Sequence, residues 1–421
     1  MRTSRDDRPD AVNGSGVAKH AAPRVGPLAQ SVLRLIWREH RISRAEIARR
    51  LSLSRSTVTE IVDELLPTAL VAEVGVGPSR GGRPPIVLEF DYDAGCILGV
   101  DMGAAHVAVA LTDLRGNVLA WRDRAFPVRS DADGTRALIA ELCAACVAEK
   151  PGARRRLVGI GVAAPCPIDP VHPERFSELV LPAWGGRSGL GALARRFKVP
   201  LFVDNDANLG ALAEHWWGAA RDVDDFAYVK VATGVGSGHF IRGKVYRGAT
   251  GVAGEIGHVA IDPHGKPCMC GLRGCLATLV GAPALVERAR ELRGRHPKSV
   301  LAQREPTIEA IEDAALAGDK LALQVVRETA EHLGIAIAGM LNLMNPRLVI
   351  VGGGLARLGD QLLTPLRDVI RHRTLVSSLA AADVTTSALG PRSIAIGAAT
   401  LVLDAALDDA TLFPAPATSA A

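Results

Sequence analysis

Apolar side chains between residues 28 and 65 recur every three to four positions, which is the period of one face of an α-helix. This spacing predicts three helices. The second begins at a capping box, in which Ser43 and Glu46 each satisfy a free N–H group, and the third begins at Ser54. The apolar positions that define these helices are Leu28, Val32, Leu35, Ile36, Ile47, Leu51, Val58, Ile61, Val62 and Leu65.

Two short apolar runs follow, at residues 70–76 and 86–90, on either side of the glycine- and arginine-rich segment 78–85. They predict two strands joined by a hairpin, so that residues 26–90 would form a winged helix-turn-helix domain. Its third helix would enter the major groove of DNA, and its wing would contact phosphates or the minor groove. The predicted DNA contacts are Arg55, Ser56, Thr59, Arg80 and Arg83. The alternative is a three-helix protein-interaction module with a solvated basic loop.

Residues 95–410 alternate strand-like apolar runs with amphipathic helices, which is typical of an α/β domain. Residues 96–116 and 226–243 follow one scheme, in which a strand, a glycine turn, a second strand and a second turn succeed one another. This internal repeat predicts two related lobes, each with a hairpin directed at a shared cleft.

The glycine turns of the repeat are candidate phosphate-binding elements, because backbone N–H groups in such turns approach phosphate oxygens closely. In the first turn, Asp101 precedes Gly103, and an aspartate at the end of a strand can orient a hydrated Mg²⁺. The second turn contains Thr233, Gly234 and Gly236. The alternative is that both are ordinary turns, in which glycine only solves a backbone problem.

The most specific chemical pattern is H-x9-C-x-C-x4-C, formed by His258, Cys268, Cys270 and Cys275. Three thiolates and one imidazole suit tetrahedral zinc. Four protein ligands leave no open position, so the predicted zinc is structural. The alternative is a set of scattered buried thiols. The remaining cysteines, predicted to lie in the core, are Cys96, Cys143, Cys146 and Cys166.

A polar cluster, residues 204–208, follows the short apolar strand 201–203. A carboxylate held at a strand end can accept a proton from a substrate hydroxyl, as the general base of phosphoryl transfer does. A neighbouring asparagine can bind adjacent hydroxyls, and Glu255 adds another acceptor. The alternative is a helix cap, since such residues commonly start helices and a helix is predicted over 209–217.

Composition restricts the class of protein. The chain of 421 residues is too long for one compact domain, and its 48% hydrophobic and 22% charged residues are typical of a soluble globular protein. No segment is predicted to span a membrane, and the first residues lack the apolar segment of a secretory signal. Seven cysteines, three of them within eight residues, favour a reducing cytoplasm over a disulfide framework.

The net charge of +4 is concentrated at the N-terminal end. Residues 1–90 contain 14 Lys and Arg against 10 Asp and Glu, whereas the remaining residues contain 35 of each. This excess predicts a polyanionic partner for the N-terminal part. Residues 1–25 and 411–421 show no periodicity and are predicted to form a disordered arm and a disordered tail.

Six motifs together resemble the ROK family of repressors and sugar kinases, over about residues 28–405. They are DMG at 101–103, PLFVDNDANLGALAEHWWG at 200–218, TGVGSG at 233–238, GEIGH at 254–258, CMCGLRGC at 268–275 and VGGG at 351–354. The preceding helix-turn-helix with its GGRPP turn resembles the transcription factors that control xylose or N-acetylglucosamine genes. The resemblance implies a two-lobed actin/hexokinase-like fold, of the ribonuclease H-like type, with a sugar bound in the cleft.

The resemblance also implies roles for individual residues. Asn205, Asp206, Glu255 and His258 would hold sugar hydroxyls, and Asp206 would be the catalytic base in a kinase. His258 would both ligate the zinc and contact the sugar, so that the zinc would set the geometry of the pocket.

The chain departs from the family pattern in two motifs. The first phosphate motif of the kinases is D-x-G-G-T-K, and Ala105 and His106 replace its hydroxyl and its amine. The family often has a glutamate two residues after the last zinc cysteine, where this chain has Ala277, so one hydrogen bond to the sugar is lost. The residues of the predicted vestigial phosphate site are Asp101, Gly103, Thr233, Gly234 and Gly236.

These observations predict a cytoplasmic, sugar-responsive repressor of carbohydrate-uptake or catabolism genes. It would bind double-stranded operator DNA as a homodimer or homotetramer, and a sugar that closes the cleft would alter the spacing of its DNA-reading heads. The main alternative is a sugar kinase, dependent on ATP and Mg²⁺, with an appended DNA-binding domain and Asp206 as its base. A zinc-stabilised interaction module with neither activity is the third interpretation.

Overall fold

The computed structural model describes residues 26–76, 85–374 and 382–415. The predicted arm, residues 1–25, lies outside these ranges, as do the final residues of the predicted tail. Within the described ranges the chain forms three β-sheets, one in an N-terminal domain and one in each of two lobes.

The N-terminal domain has three helices and an antiparallel sheet in the order β1-β3-β2. Its elements are α1 (Pro27–Glu39), β1 (Arg41–Ser43), α2 (Arg44–Arg50), α3 (Arg55–Leu65), β2 (Val71–Val76) and β3 (Ile86–Phe90). Both predicted N-caps are present, because the hydroxyls of Ser43 and Ser54 accept hydrogen bonds from the backbone N–H groups of Glu46 and Thr57. The predicted winged helix-turn-helix is confirmed, with β1 as an additional strand.

Two details of these helices differ from the prediction. Leu28 is 52% exposed, and Ala29 faces the core of the domain instead. The carboxylate of Glu46 accepts hydrogen bonds from Arg49 and Arg50, and is not the second half of a capping box. Charge-assisted bonds to two nearby guanidinium groups are stronger than one bond to a neutral N–H.

The first lobe contains a five-stranded sheet in the order β6-β5-β4-β7-β8. Its strands are β4 (Cys96–Met102), β5 (His106–Asp113), β6 (Val118–Ala125), β7 (Leu157–Ala164) and β8 (Leu201–Asn205), and its helices are α4 (Ala132–Ala148) and α5 (Gly191–Phe197). The helix α6 (Asp206–Trp217) then leads into the second lobe.

The second lobe contains a five-stranded sheet in the order β11-β10-β9-β12-β13. Its strands are β9 (Phe226–Val231), β10 (Val235–Ile241), β11 (Lys244–Tyr246), β12 (Leu348–Gly352) and β13 (Asp383–Thr386). Its helices are α7 (Ala277–Val280), α8 (Ala282–Leu292), α9 (Ile308–Leu316), α10 (Lys320–Met344) and α11 (Asp360–Arg373), after which α12 (Ser393–Asp408) returns to the first lobe.

The two lobes repeat one topology. In the first lobe, the central strand β4 pairs antiparallel with β5 and parallel with β7. In the second lobe, the central strand β9 pairs antiparallel with β10 and parallel with β12. The internal repeat and the two-lobed α/β architecture predicted from the sequence are therefore confirmed.

Two helices fill the space between the sheets. α12 packs against β4 and β7, α6 packs against β9 and β10, and the two helices pack against each other. The segment Gly390–Asp408, which contains α12, is long and apolar enough to cross a membrane, but 67% of it is buried inside the fold. Such burial is typical of a core helix.

The close approach of α12 to the first sheet requires two glycines. A methyl group on Gly99 of β4 would overlap the carbonyl oxygen of Ala395, and one on Gly161 of β7 would overlap that of Ala398. Both obstacles are backbone atoms of α12, which cannot rotate away as a side chain can. Glycine at these two positions therefore sets the distance between sheet and helix.

The N-terminal domain shares one apolar core with the first lobe. A continuous cluster of buried side chains joins α1, α3 and β3 to Leu114 and to the C-terminal half of α12. On the surface of this contact, Arg34 of α1 forms ion pairs of 2.8 Å with both Asp404 and Asp408 of α12. The N-terminal domain is therefore packed against the rest of the chain and not merely tethered to it.

The predicted tail begins later than expected. Residues 411–413 were expected to be disordered, but Ala410–Leu412 forms a 3₁₀ turn and Phe413 is 4% exposed. The ring of Phe413 belongs to the core that the N-terminal domain shares with α12, and its burial holds this segment in place.

Replacement of Gly161 by alanine tests the spacing between α12 and the sheet. We expect the free energy of unfolding to fall by about 1–3 kcal/mol or more, because the helix and the sheet must move apart to admit the methyl group. The matched control is Gly294→Ala, where a methyl group meets nothing within 4 Å. Urea unfolding followed by circular dichroism measures both variants, and equal transition midpoints would contradict this account.

Candidate functional site

The polar cluster around Asn205 lies where β8 ends and α6 begins. The side-chain oxygen of Asn205 accepts hydrogen bonds from the N–H groups of Ala207 (2.9 Å) and Asn208 (3.3 Å), so Asn205 is the N-cap of α6. Its amide nitrogen donates to the carbonyl of Cys166 at 3.1 Å. The helix-cap interpretation is therefore correct for Asn205, and α6 begins at Asp206, earlier than predicted, because the cap holds its first turn.

Asp204, near the end of β8, is held by an arginine of the second lobe. Its Oδ2 atom accepts hydrogen bonds from Nε (2.9 Å) and Nη2 (2.6 Å) of Arg247, and its Oδ1 atom accepts one from Asn208 at 3.1 Å. Such charge-assisted bonds are strong, and this pair joins the loop after β11 to the end of β8. No local pattern in the sequence indicates Arg247, which lies 43 positions from its partner.

Asp206, the first residue of α6, is paired with Lys230 of β9. The Nζ atom of Lys230 donates to Oδ2 of Asp206 at 2.6 Å, and both side chains are almost fully buried. Burial alone would lower the pKa of Lys230, but the charges of Asp206 and Asp101 raise it above its ordinary value. Lys230 is not among the predicted site residues, although it is the one charged residue in the otherwise apolar strand Phe226–Val231 and could have been recognised by this.

The first glycine turn brings Asp101 and His106 together. The Nε2 atom of His106 lies 3.4 Å from Oδ2 of Asp101, and its ring covers Gly103. The Oδ1 atom of Asp101 is buried and has no hydrogen-bond partner among the described residues. Burial would raise the pKa of Asp101, but the contact with His106 and the charge of Lys230 lower it. An imidazole thus covers the turn that was predicted to approach phosphate.

The second glycine turn lies between β9 and β10, beside the first turn of α6. A methyl group on Gly236 would lie 3.6 Å from Cβ of Ala207, whereas one on Gly234 would meet nothing within 4 Å. Thr233 lines a cavity of about 400 Å³ together with residues of α8 and α9. Open space therefore adjoins the second glycine turn, whereas the ring of His106 covers the first.

Glu255 and His258 connect the cleft to the cysteines. Burial, together with the nearby charge of Asp206, raises the pKa of Glu255 to about 7. The Nε2 atom of His258 lies 3.8 Å from Oε2 of Glu255, and its Nδ1 atom lies 3.5 Å from Sγ of Cys268. One imidazole therefore faces Glu255 with one nitrogen and the cysteines with the other.

The four predicted metal ligands form one cluster. The ligand atoms of His258, Cys268, Cys270 and Cys275 lie within 4.8 Å of one another, and the Sγ atoms of Cys270 and Cys275 are 3.6 Å apart. A tetrahedral ion with Zn–S bonds of about 2.3 Å requires sulfur atoms about 3.8 Å apart. The cluster can therefore hold a metal ion. The cysteines predicted to lie in the core are buried, and they are Cys96, Cys143, Cys146 and Cys166.

Three of the five residues predicted to contact DNA lie in α3. Arg55 and Ser56 are exposed in its first turn, and Thr59 is half-buried with its hydroxyl donating to the carbonyl of Arg55 at 2.9 Å. Arg80 and Arg83 lie outside the described residues. Arg55 and Ser56 thus lie at the exposed N-terminal end of α3, and their contact with DNA stays a prediction.

Comparison with protein families identifies two regions of the chain. The ROK family model matches residues 97–405, and a model of winged helix-turn-helix DNA-binding domains matches residues 28–66. The xylose repressor of Caldicellulosiruptor bescii is 31% identical over 378 residues, which are 88% of this chain and 94% of that protein. The DNA-binding transcriptional dual regulator NagC of Escherichia coli is 33% identical over 382 residues, which are 90% of this chain and 92% of that protein.

Two solved structures resemble the fold. A ROK family transcriptional regulator, a homologue of the E. coli MLC protein, is 28% identical with a TM-score of 0.77, covering 92% of this chain and 97% of that one. The ROK family glucokinase of Streptomyces griseus, in complex with glucose and AMPPNP, is 29% identical with a TM-score of 0.66, covering 73% of this chain and 99% of that one. Since the family model spans both lobes and the repressors align with the N-terminal domain as well, the chain belongs to the ROK family, in the branch with a winged helix-turn-helix.

Proposed function

We propose that this chain is a sugar-responsive repressor of transcription, which binds operator DNA through α3 and a sugar or sugar derivative in the cleft. One observation carries the proposal. The helix α6 starts in the cleft, with Asn205 as its N-cap and Asp206 as its first residue. Its last two residues, Trp216 and Trp217, pack against the N-terminal domain. A ligand at one end of α6 is thereby connected to the DNA-binding domain at the other. The repressors and regulators among its relatives support this function.

We assign the sugar to four side chains of the cleft. Asp206 and Glu255 would accept hydrogen bonds from sugar hydroxyls, and His258 would contribute its Nε2 atom. The oxygen of Asn205 already caps α6, so Asn205 would act through its amide nitrogen. Ala277, the first residue of α7, offers no polar group, which leaves recognition to these four residues. The glucose in the S. griseus structure supports a sugar in this cleft.

Three tryptophans meet where α6 contacts the N-terminal domain. The ring centroid of Trp37 in α1 lies 4.9 Å from that of Trp216 and 5.9 Å from that of Trp217. The indole N–H of Trp37 donates to the carbonyl of Leu114 in the first lobe at 2.9 Å, and the hydroxyl of Tyr92 donates to the Trp37 carbonyl at 2.7 Å. A displacement of α6 or of the first lobe would therefore move α1 as well.

The effect of the sugar on DNA binding would follow from a difference in its affinity for two arrangements of the lobes. A sugar that binds one arrangement of the lobes more tightly shifts the chain toward that arrangement. Helix-turn-helix dimers recognise half-sites only at a defined spacing, so a movement of α1 in a homodimer or homotetramer would change the affinity for the operator. We propose that the sugar-free form represses carbohydrate-uptake or catabolism genes in the cytoplasm and that the sugar releases it.

We also propose that the cluster of His258 and the three cysteines holds a structural zinc ion. Four protein ligands complete a tetrahedron and leave no position for a catalytic water. With Nδ1 of His258 directed at the cysteines, its Nε2 atom remains on the side of Glu255. The ion would then fix the orientation of a residue that also binds the sugar.

A sugar kinase is the second candidate function, and the similarity to the S. griseus glucokinase favours it. Asp206 would then be the general base, and ATP with Mg²⁺ would occupy the two glycine turns. These turns contain Asp101, Gly103, Thr233, Gly234 and Gly236. Two contacts oppose this function, because Lys230 pairs with Asp206 and the ring of His106 covers Gly103.

The repressor function predicts sugar-sensitive binding of the full chain to duplex DNA from upstream of its own and neighbouring genes. Arg55→Ala should weaken this binding about tenfold, because a specific arginine contact to DNA contributes about 1–3 kcal/mol. The control is Arg155→Ala, an exposed arginine of the first lobe, which should bind like the wild type. Fluorescence anisotropy with free and phosphorylated pentoses, hexoses and N-acetylhexosamines would identify the sugar that releases the DNA.

Two results would contradict the repressor function. One is a wild-type chain that binds no duplex from this region. The other is rapid phosphorylation of a sugar by ATP and Mg²⁺ that disappears in Asp206→Asn, which would establish the kinase instead.

Trp37→Ala tests the connection between α6 and the DNA-binding domain. In the wild type we expect the sugar to change operator affinity by about 5- to 150-fold, the usual range of coupling between two sites. In Trp37→Ala the sugar should still bind, as calorimetry would measure, but the change in operator affinity should fall to about twofold or less. Trp121→Ala, in β6 outside the contact between α6 and the N-terminal domain, is the control. If the sugar changed the operator affinity of Trp37→Ala as much as that of the wild type, coupling through Trp37 would be excluded.

The metal assignment predicts about one zinc ion per purified chain. Cys270→Ser should lose most of this zinc and weaken sugar binding, because His258 is no longer held by the ion. Cys146→Ala, a buried cysteine of α4 outside the cluster, should keep the zinc. Plasma mass spectrometry gives the metal content, and a folded wild-type chain without zinc would refute the assignment.

A further inference from the structure

The charge balance of the cleft depends on one buried lysine. Asp101 is 2% exposed and Asp206 is 7% exposed. The ammonium group of Lys230 lies 2.6 Å from Oδ2 of Asp206, and its positive charge also acts on Asp101. The imidazole of His106 also lies near Asp101, at 3.4 Å, and is more exposed than Lys230. Lys230 is thus a buried cation that donates a hydrogen bond to Asp206 and whose charge also acts on Asp101.

Two buried carboxylates that act on the same ammonium group require compensating positive charge. Without it, one of them takes up a proton or the pair binds a cation, because removing one partner of a buried ion pair leaves an unpaired charge. In enzymes that transfer phosphoryl groups, carboxylates of this kind hold Mg²⁺, which bridges the phosphates of the nucleotide. An ammonium group supplies charge and three hydrogen-bond donors but no open coordination position.

We propose that Lys230 takes the place of a divalent cation in the cleft, so that the site binds a sugar alone and not a complex of metal and nucleotide. The inference deepens the proposed function and rests on it for the identity of the ligand. Transfer of a proton from a sugar hydroxyl to Asp206 would break the ion pair with Lys230. The pair therefore makes Asp206 a hydrogen-bond acceptor for the sugar instead of a general base.

The variant Lys230→Met removes the charge and keeps an apolar side chain of similar length. In the zinc-loaded full chain, we expect this variant to bind about one Mn²⁺ at least tenfold more tightly than the wild type, because the two freed carboxylates become its ligands. Loss of the free Mn²⁺ signal in electron paramagnetic resonance measures this binding. Lys244→Met, at an exposed position of β11, is the matched control and should bind Mn²⁺ like the wild type.

A second substitution locates the gained site. The double variant Lys230→Met/Asp206→Asn should lose the Mn²⁺ site, because only one of the two carboxylates remains charged. If Lys230→Met is unfolded without divalent ions, millimolar Mn²⁺ should restore the folded chain, since an ion that binds only the native state stabilises it.

Three outcomes would overturn the inference. The first is a folded Lys230→Met variant that binds Mn²⁺ no more tightly than the wild type. The second is a variant that stays unfolded in millimolar Mn²⁺. The third is a gained site that survives the additional change Asp206→Asn.

Sugar binding separates this inference from the proposed function. The wild type should bind its sugar with the same affinity in the presence and absence of millimolar Mg²⁺, as calorimetry would measure. A requirement for Mg²⁺ would overturn the role of Lys230 while leaving the sugar-responsive function intact. If no sugar binds but Lys230→Met gains the Mn²⁺ site, the proposed function fails, and the replacement of a cation by Lys230 stands.

Discussion

Positive charge supplied by the chain itself holds the cleft together. Three buried aspartates of the first lobe and α6 are each matched by a basic side chain. The pairs are Asp204 with Arg247, Asp206 with Lys230 and Asp101 with His106. Arg247 and Lys230 belong to the second lobe, so the first pair joins the two lobes and the second joins α6 to the second lobe. Removing one partner of a buried pair typically costs about 3–5 kcal/mol, so the cleft depends on all its charges together.

The same charges lie at the start of a helix that reaches the N-terminal domain. Asp206 is both the partner of Lys230 and the first residue of α6, and Trp217 at the other end contacts α1. The second lobe contacts this helix through its ion pair, and the N-terminal domain contacts it through aromatic packing. Under the proposed function, a sugar bound beside Asp206 would act on the DNA-binding domain through this helix without being phosphorylated, because the ion pair with Lys230 would keep Asp206 from acting as a general base.

The sequence predicted those features whose partners lie close together along the chain. The caps at Ser43 and Ser54 join residues three positions apart, and the predicted metal ligands lie within one segment of 18 residues and form one cluster. The contacts between lobes and domains could not be predicted from local patterns, because their partners are distant. Arg247 lies 43 positions from Asp204, and the indole of Trp37 binds a carbonyl 77 positions away. Such pairs depend on how the finished sheets and helices pack.

The core that the N-terminal domain shares with α12 can form only late in the synthesis of the chain. Arg34 and its partner Asp404 are 370 positions apart, so the DNA-reading head emerges from the ribosome long before the helix that completes its apolar surface. A nascent or truncated polypeptide would carry this head with part of its core uncovered. Exchange of N-terminal domains between family members would therefore require matching changes in α12.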